Sequence, residues 1–322
     1  MDPNKIDTIE TTFATKLLDS NGTQHFLTNR IKLSDGFEIK QIRPKFSTYY
    51  YNMPTEKKAI CLHFTVGNIK GDIGSLTKDG NKVSVNYVVD RQGNIYNLFD
   101  DKYWSYHLGA NTIGSNATMS KQTIGIEISN YGPLKLTADG ALLDSYGNLY
   151  CTLEDKDYYK ECDYRGYNYY ATMTEKQEMA VAKLLNYLCE ENNIPKEFKE
   201  NPDVVFKDAT SAKAFTGIYL HTSVRKDKYD WPEPMINGIK TKFKGKKLEA
   251  KKDITNQTTT VIIENKNSNI ETFVTVENPS DDNINSDIQN TNVLTQTIAV
   301  EKPKNILDII IDFILSLLGK KK

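Results

Sequence analysis

Apolar positions follow two periods as far as about residue 240, and the remainder of the chain follows neither. Residues 58–65 and 216–222 are short apolar runs, which predict buried strands. Residues 123–129 alternate, with Ile124, Ile126 and Ile128 set against Gly125, Glu127 and Ser129. That period of two predicts a strand with one buried face, so Glu127 would point away from the isoleucines. Residues 83–90 and 94–99, separated by Arg-Gln-Gly, read as a hairpin-like pair. Helical spacing enters at Thr174, where Thr-Glu-Lys-Gln has the form of a capping box. Met179, Ala182, Leu185 and Leu188 then recur at helical intervals, and the helix should stop near Asn192, before Pro195. Shorter helices are expected near residues 12–18 and 71–78, and strand-like pieces around 37–42. The pattern is that of an α/β domain over residues 46–244, with residues 1–45 packed on it.

Three stretches break the pattern. Residues 133–171 are long, Tyr-rich and punctuated by Gly. Such a segment within a compact domain is either functional or has structure of its own. Its tyrosines, Tyr158, Tyr159, Tyr164, Tyr167, Tyr169 and Tyr170, could stack on sugar rings or pack the segment onto the domain. Residues 245–302 turn to Asn, Thr, Ser, Asp and Lys and read as a mostly flexible polar linker. A β-branched run at 258–263 keeps a second small β domain open as the alternative.

Residues 303–322 form the last stretch. Asp308, Asp312 and Ser316 leave one narrow polar stripe on an otherwise apolar run, with lysines at both ends. This predicts an amphipathic helix too short and too polar to span a bilayer. It would lie on an anionic membrane surface, dock on the domain, or self-associate.

Composition narrows the function. A formal net charge of -1 over 322 residues excludes a dominant nucleic-acid footprint, so no nucleic-acid partner is expected. Cys61, Cys151, Cys162 and Cys189 form no CxxC pair; free thiols are expected, with a Cys151–Cys162 bridge as the alternative. The opening Met1-Asp-Pro-Asn-Lys-Ile-Asp has no basic segment followed by an apolar core, so synthesis in the cytoplasm without a Sec signal is expected.

Among four histidines, two share a context: His63 closes Ala59-Ile-Cys-Leu-His and His221 closes Gly217-Ile-Tyr-Leu-His. Asp230 follows His221, with Lys228 two residues before it. Two imidazoles and a carboxylate are a ligand set for one catalytic zinc, which keeps a fourth position for water. Such a site makes hydroxide available near neutral pH and polarises a carbonyl.

Five motifs then occur in order: Leu62-His-Phe-Thr, the run from Val83 to Tyr96, Trp104-Ser-Tyr-His-Leu-Gly-Ala, Thr123-Ile-Gly-Ile-Glu-Ile, and Tyr219-Leu-His with Lys228-Tyr-Asp. Over residues 40–234 the chain resembles the zinc-dependent N-acetylmuramoyl-L-alanine amidases and the related peptidoglycan-recognition proteins. The resemblance implies a central mixed β-sheet flanked by helices. It implies that His63, His221 and Asp230 hold zinc, the family spacing favouring Asp230 over Asp227. Glu127 would be the general base, since the position of the tyrosine that some relatives use corresponds to Val85. Lys228 would face the developing oxyanion. His107, Trp104 and Asn86 would touch substrate; Asn86 stands where many relatives have histidine, and Trp231-Pro replaces the usual Pro-Gly. The implied activity is cleavage of the amide between N-acetylmuramic acid and L-alanine of bacterial peptidoglycan. The implied role is that of an endolysin-type enzyme acting on the cell wall after release or delivery. A non-catalytic peptidoglycan-binding module and a secreted antibacterial effector with a membrane-active tail are the alternatives.

Overall fold

A computed structural model describes residues 3–16, 24–243, 259–263 and 272–276. The chain divides into two units, residues 1–252 and 253–322. In chain order the first contains α1 (Pro3–Lys16), β1 (Phe26–Lys32), β2 (Glu38–Arg43), β3 (Ala59–Phe64), α2 (Ile69–Leu76), β4 (Tyr87–Val89) and β5 (Ile95–Asn97). There follow α3 (Asn116–Gln122), β6 (Thr123–Ile128), β7 (Pro133–Leu136), β8 (Ala141–Leu143), β9 (Leu149–Thr152), β10 (Tyr159–Tyr164) and β11 (Tyr167–Ala171). The unit ends with α4 (Glu175–Glu191), α5 (Ala209–Ala214), β12 (Gly217–Leu220) and α6 (Glu233–Lys242).

Seven strands form a mixed sheet in the order β1-β2-β5-β4-β6-β3-β12. Strands β4, β6, β3 and β12 run parallel to one another. Their period-two pattern sorts side chains between two faces. Ile60, Leu62, Ile124, Ile126, Ile128, Ile218 and Leu220 form one core with Val181, Leu184, Leu185 and Leu188 of α4 and Ile236 and Ile239 of α6. Each such side chain, when fully buried, contributes about 1.5–3 kcal/mol. Ala59, Cys61 and Tyr219 face the other way, against Leu108 and Met119. His63 and Glu127 continue that second set towards the strand ends.

Helix α4 starts as the Thr174 motif suggests, but only half of the box forms. Thr174 Oγ1 accepts from Gln177 N at 3.1 Å. The Gln177 side chain instead donates to Val89 O and Ser129 O, tying α4 to β4 and to the residue that follows β6. Its buried face includes Gln177, Ala180 and Leu184, whereas Met179 is half-buried.

The expected helix near residues 12–18 begins much earlier, at Pro3. Ile6, Glu10 and Phe13, one helical face, are the buried positions among its described side chains. Polar residues between them hid the period. Residues 26–43 add β1 and β2 to the same sheet.

Residues 133–171 fold as a five-stranded antiparallel sheet, β10-β11-β7-β8-β9. Tyr131, Leu134, Leu142, Tyr150, Tyr159 and Ile6 of α1 form its core. Tyr159 and Tyr170 are buried, so packing accounts for part of the tyrosine cluster. All four cysteines are free thiols. Cys151 on β9 and Cys162 on β10 stand at opposite edges of this sheet, which precludes the bridge.

In the second unit, β13 (Thr259–Ile263) pairs antiparallel with β14 (Thr272–Val276). This strand pair is the part of the 245–302 stretch that is described. The amphipathic tail at 303–322 lies outside the described residues.

Candidate metal centre

The site stands at the C-terminal ends of the parallel strands, where open α/β sheets present ligand-binding crevices. His63 is the penultimate residue of β3, and His63 and Glu127 are register partners across β3 and β6. Leu220 pairs with Leu62, so His221, one residue beyond β12, comes up beside His63. Asp230 returns to the same point from the loop before α6.

His63 Nδ1 lies 2.9 Å from His221 Nδ1, and His221 Nδ1 lies 3.3 Å from Asp230 Oδ2. All three residues are buried, and one ligand atom of each falls within 4.8 Å of the others. Asp230 Oδ2 and Glu127 Oε2 are buried without a hydrogen-bond partner. The His221–Asp230 pair is close enough for an ion pair but lacks hydrogen-bond alignment, so it does not satisfy the carboxylate. Two ring nitrogens and a carboxylate oxygen aimed at one point are costly to bury without a cation between them. Ligands about 2.1 Å from a tetrahedral zinc lie roughly 3.4 Å from one another, close to the separations found. The residues therefore fit a divalent ion.

Electrostatics agree with that fit. Burial pushes the Glu127 carboxyl well above its ordinary pKa, and the charges of Asp230 and Asp72 add to the shift while Lys228 opposes it. Burial likewise holds His63 well below the usual imidazole range, helped by His221, His107 and Lys228. A bound dication would reverse the penalty on the carboxylate.

The cleft over these residues has a volume of about 570 Å³ and is lined by Glu127, His107, Arg225, Lys228, Phe64 and Tyr106, among others. Lys228 is held from behind, because Arg165 in the β10–β11 turn donates to Lys226 O at 2.8 Å and Lys228 O at 2.6 Å. The extra sheet thus braces the loop that carries Lys228.

Two expected substrate contacts lie elsewhere. Asn86 is 2% exposed, and its side chain accepts from Gly125 N at 3.2 Å, pinning β6. Trp104 is 4% exposed and stacks on Tyr51 at 4.2 Å between centroids. Neither lines the cleft. His107 does line it, yet its Nδ1 is 3.0 Å from His63 Nε2.

Two further residues contribute: Trp231, marked in the sequence only as a departure from the family pattern, and Tyr146, which the sequence did not single out. Trp231 is buried at φ +122°, and its Nε1 donates to Leu62 O at 3.1 Å. That anchors the residue after Asp230 to the strand carrying His63. A tryptophan directly after the carboxylate, one of two in the chain, was the available signal. Tyr146, 75% exposed at the β8–β9 turn, lines the cleft from the extra sheet. No local pattern marks it, since its position depends on how two sheets meet.

An α/β sheet with this donor set and a separate glutamate defines a site able to hold a metal and act on a carbonyl. The sequence profile of the N-acetylmuramoyl-L-alanine amidases matches residues 53–233, more than half of the chain, and the chain belongs to that family. Among solved structures it is similar to the E. coli N-acetylmuramyl-L-alanine amidase AmiD in complex with anhydro-N-acetylmuramic acid-L-Ala-D-gamma-Glu-L-Lys, at 15% identity and a TM-score of 0.37. That match covers 66% of this chain and 65% of AmiD. Similarity to the Staphylococcus aureus hydrolase AmiA, in complex with its ligand, has 14% identity and a TM-score of 0.37 over 72% of this chain and 83% of AmiA. The amidase LysC of Clostridium intestinale URNW matches at 14% identity and a TM-score of 0.34, over 63% of this chain and 96% of LysC. No curated protein sequence matches the chain.

Proposed function

We propose that this chain is a peptidoglycan hydrolase that uses one zinc ion to cleave the amide between N-acetylmuramic acid and L-alanine. The observation that carries the proposal is the convergence of His63 Nδ1, His221 Nδ1 and the unpartnered Asp230 Oδ2 beside the equally unpartnered Glu127 Oε2. Zinc held by the first three would supply Lewis acidity towards water and the scissile carbonyl. Glu127 takes the proton of the attacking water at its free oxygen and returns it to the leaving amine of L-alanine. Lys228 places its ammonium on the cleft wall to balance charge on the tetrahedral oxyanion. Phe64 and Trp231, ring centroids 5.7 Å apart, keep the floor behind His63 apolar.

The retained ligand set together with Glu127 favours catalysis over binding alone. The protein would act on the cell wall after release or delivery, as an endolysin-type enzyme. Its tail would add affinity for an anionic membrane surface. The test is release of peptides with a free L-alanine terminus from purified sacculi, with and without a chelator. Purified protein should carry about one equivalent of zinc. Full metal content in His221→Ala, or cleavage untouched by the chelator, would overturn the reading.

A further inference from the structure

The residues behind the two imidazoles form a continuous set of hydrogen bonds. A neutral imidazole that offers Nδ1 to a metal carries its proton on Nε2. His221 Nε2 then donates to Leu108 O at 3.0 Å. His63 Nε2 then donates to His107 Nδ1, at 3.0 Å. To accept there, His107 must be neutral and carry its own proton on Nε2. That nitrogen faces Thr123 Oγ1 at 3.4 Å, and Thr123 Oγ1 donates to Met119 O.

The segment bearing these acceptors is itself fixed. His107 N donates to Ser120 Oγ at 3.3 Å, and Leu108 N to Asn116 Oδ1 at 3.2 Å. Room for the ring comes from Gly125 of β6. A Cβ there would lie 3.1 Å from His107 Nδ1 and 2.9 Å from a Val85 methyl.

We propose that His107 is a positioning residue for the metal centre: its Nδ1 holds the His63 imidazole in the tautomer and orientation that present Nδ1 to the ion. With Leu108 O doing the same for His221, two consecutive residues orient both imidazole ligands. This inference rests on the zinc reading above. It gives the histidine of Trp104-Ser-Tyr-His a role behind the ligand, distinct from substrate contact. The competing arrangement is a second ion among Cys61, His63 and His107, whose ligand atoms also approach one another. That arrangement would need the lone pair of His63 Nε2 and would break the bond to His107.

The experiment measures zinc affinity of the full chain by competition with a chromogenic chelator, alongside kcat and KM on a soluble muropeptide. Loss of the acceptor in His107→Leu should weaken zinc binding by about 10- to 100-fold, the usual effect of removing an outer hydrogen-bond partner of a metal-bound histidine. In His107→Asn, Oδ1 replaces Nδ1 one bond beyond Cγ, and affinity should stay within about threefold of wild type. Gly125→Ala leaves every polar group in place but displaces the ring, and should weaken zinc binding in the same direction as His107→Leu. Folding of the metal-free variants is checked by circular dichroism. Long-range proton–nitrogen spectra of the zinc-loaded protein should place the His107 proton on Nε2.

Unchanged zinc affinity in folded His107→Leu, with only KM raised, would make His107 a substrate contact and overturn the proposal. Equal losses in the Leu and Asn variants, a proton on His107 Nδ1, or two zinc equivalents in the wild type would also overturn it. A wild-type chain that binds no zinc would sink the metal reading itself, a result separate from any of these.

Discussion

Replacing Glu10 by glutamine should change sign in its effect on stability between about pH 5 and about pH 8. The side chain is fully buried on the inner face of α1. Its Oε1 accepts from Ile69 N and its Oε2 from Arg91 N, both at 3.2 Å. Burial pushes its pKa from 4.5 up to about 8, the charge of Asp90 adds to this, and the two N–H groups oppose it only in part. Burial also pushes Asp72 up to about 7 and Asp90 up to about 6. The folded chain therefore keeps protons that the unfolded chain has already released. The stability they contribute is complete below the unfolded pKa of 4.5 and is lost as pH rises through the folded value of about 8. That interval, at about 1.36 kcal/mol per pH unit, corresponds to ~5 kcal/mol, an upper figure because the three acids titrate together. Glutamine escapes this loss. It also turns an amide N–H₂ towards one of the two backbone donors, which costs about 1–3 kcal/mol at every pH. Glu10→Gln should thus be the less stable protein near pH 5 and the more stable one near pH 8, by about 2 kcal/mol. Urea unfolding of both proteins in matched buffers measures this, and the difference cancels groups that titrate alike in each. Parallel stability–pH curves would show that Glu10 is charged in the fold and would refute the reasoning.

Four further outcomes are expected. Glu127→Gln should keep zinc content and fold but lose turnover on the order of a hundredfold or more, since the amide cannot take the water proton; near wild-type cleavage would assign that work to another group. Tyr146→Ala should raise KM on a muropeptide by roughly threefold to tenfold at constant kcat, as removal of a binding contact does, and an equal fall in kcat would count against it. Leu185→Ala, in the core between α4 and the sheet, should cost about 2–5 kcal/mol in urea unfolding, and a loss below about 1 kcal/mol would show that the site collapses to fill the cavity. A chain ending at Pro303 should release peptides from isolated sacculi as the full chain does but bind anionic vesicles more weakly; equal vesicle binding would reject the membrane role of the tail.

What could be read from the sequence followed from periodicity, and what could not followed from contacts between distant segments. The isoleucines of residues 123–129 told which way Glu127 points, because a strand has only two faces. The matched runs ending in His63 and His221 placed both imidazoles at strand ends, and parallel pairing of β3 with β12 then set them side by side. Helix α1 was misplaced because, among its described side chains, Ile6 and Phe13 are the buried apolar ones, and a third inward position is a glutamate. A buried acid is invisible to a pattern built on hydrophobicity. The fold of residues 133–171 was hidden for a related reason, since a small antiparallel sheet with tyrosines on both faces shows no clean alternation. His107 is the instructive case. Its motif marked it as functional, but motif order carries no information on which ring nitrogen meets which neighbour. Only the packing of the ring against Gly125 turns Nδ1 towards His63, and that contact joins residues on two separate segments. Sequence therefore names the residues of such a site more readily than their roles, because a role is a property of the atoms a side chain is made to face.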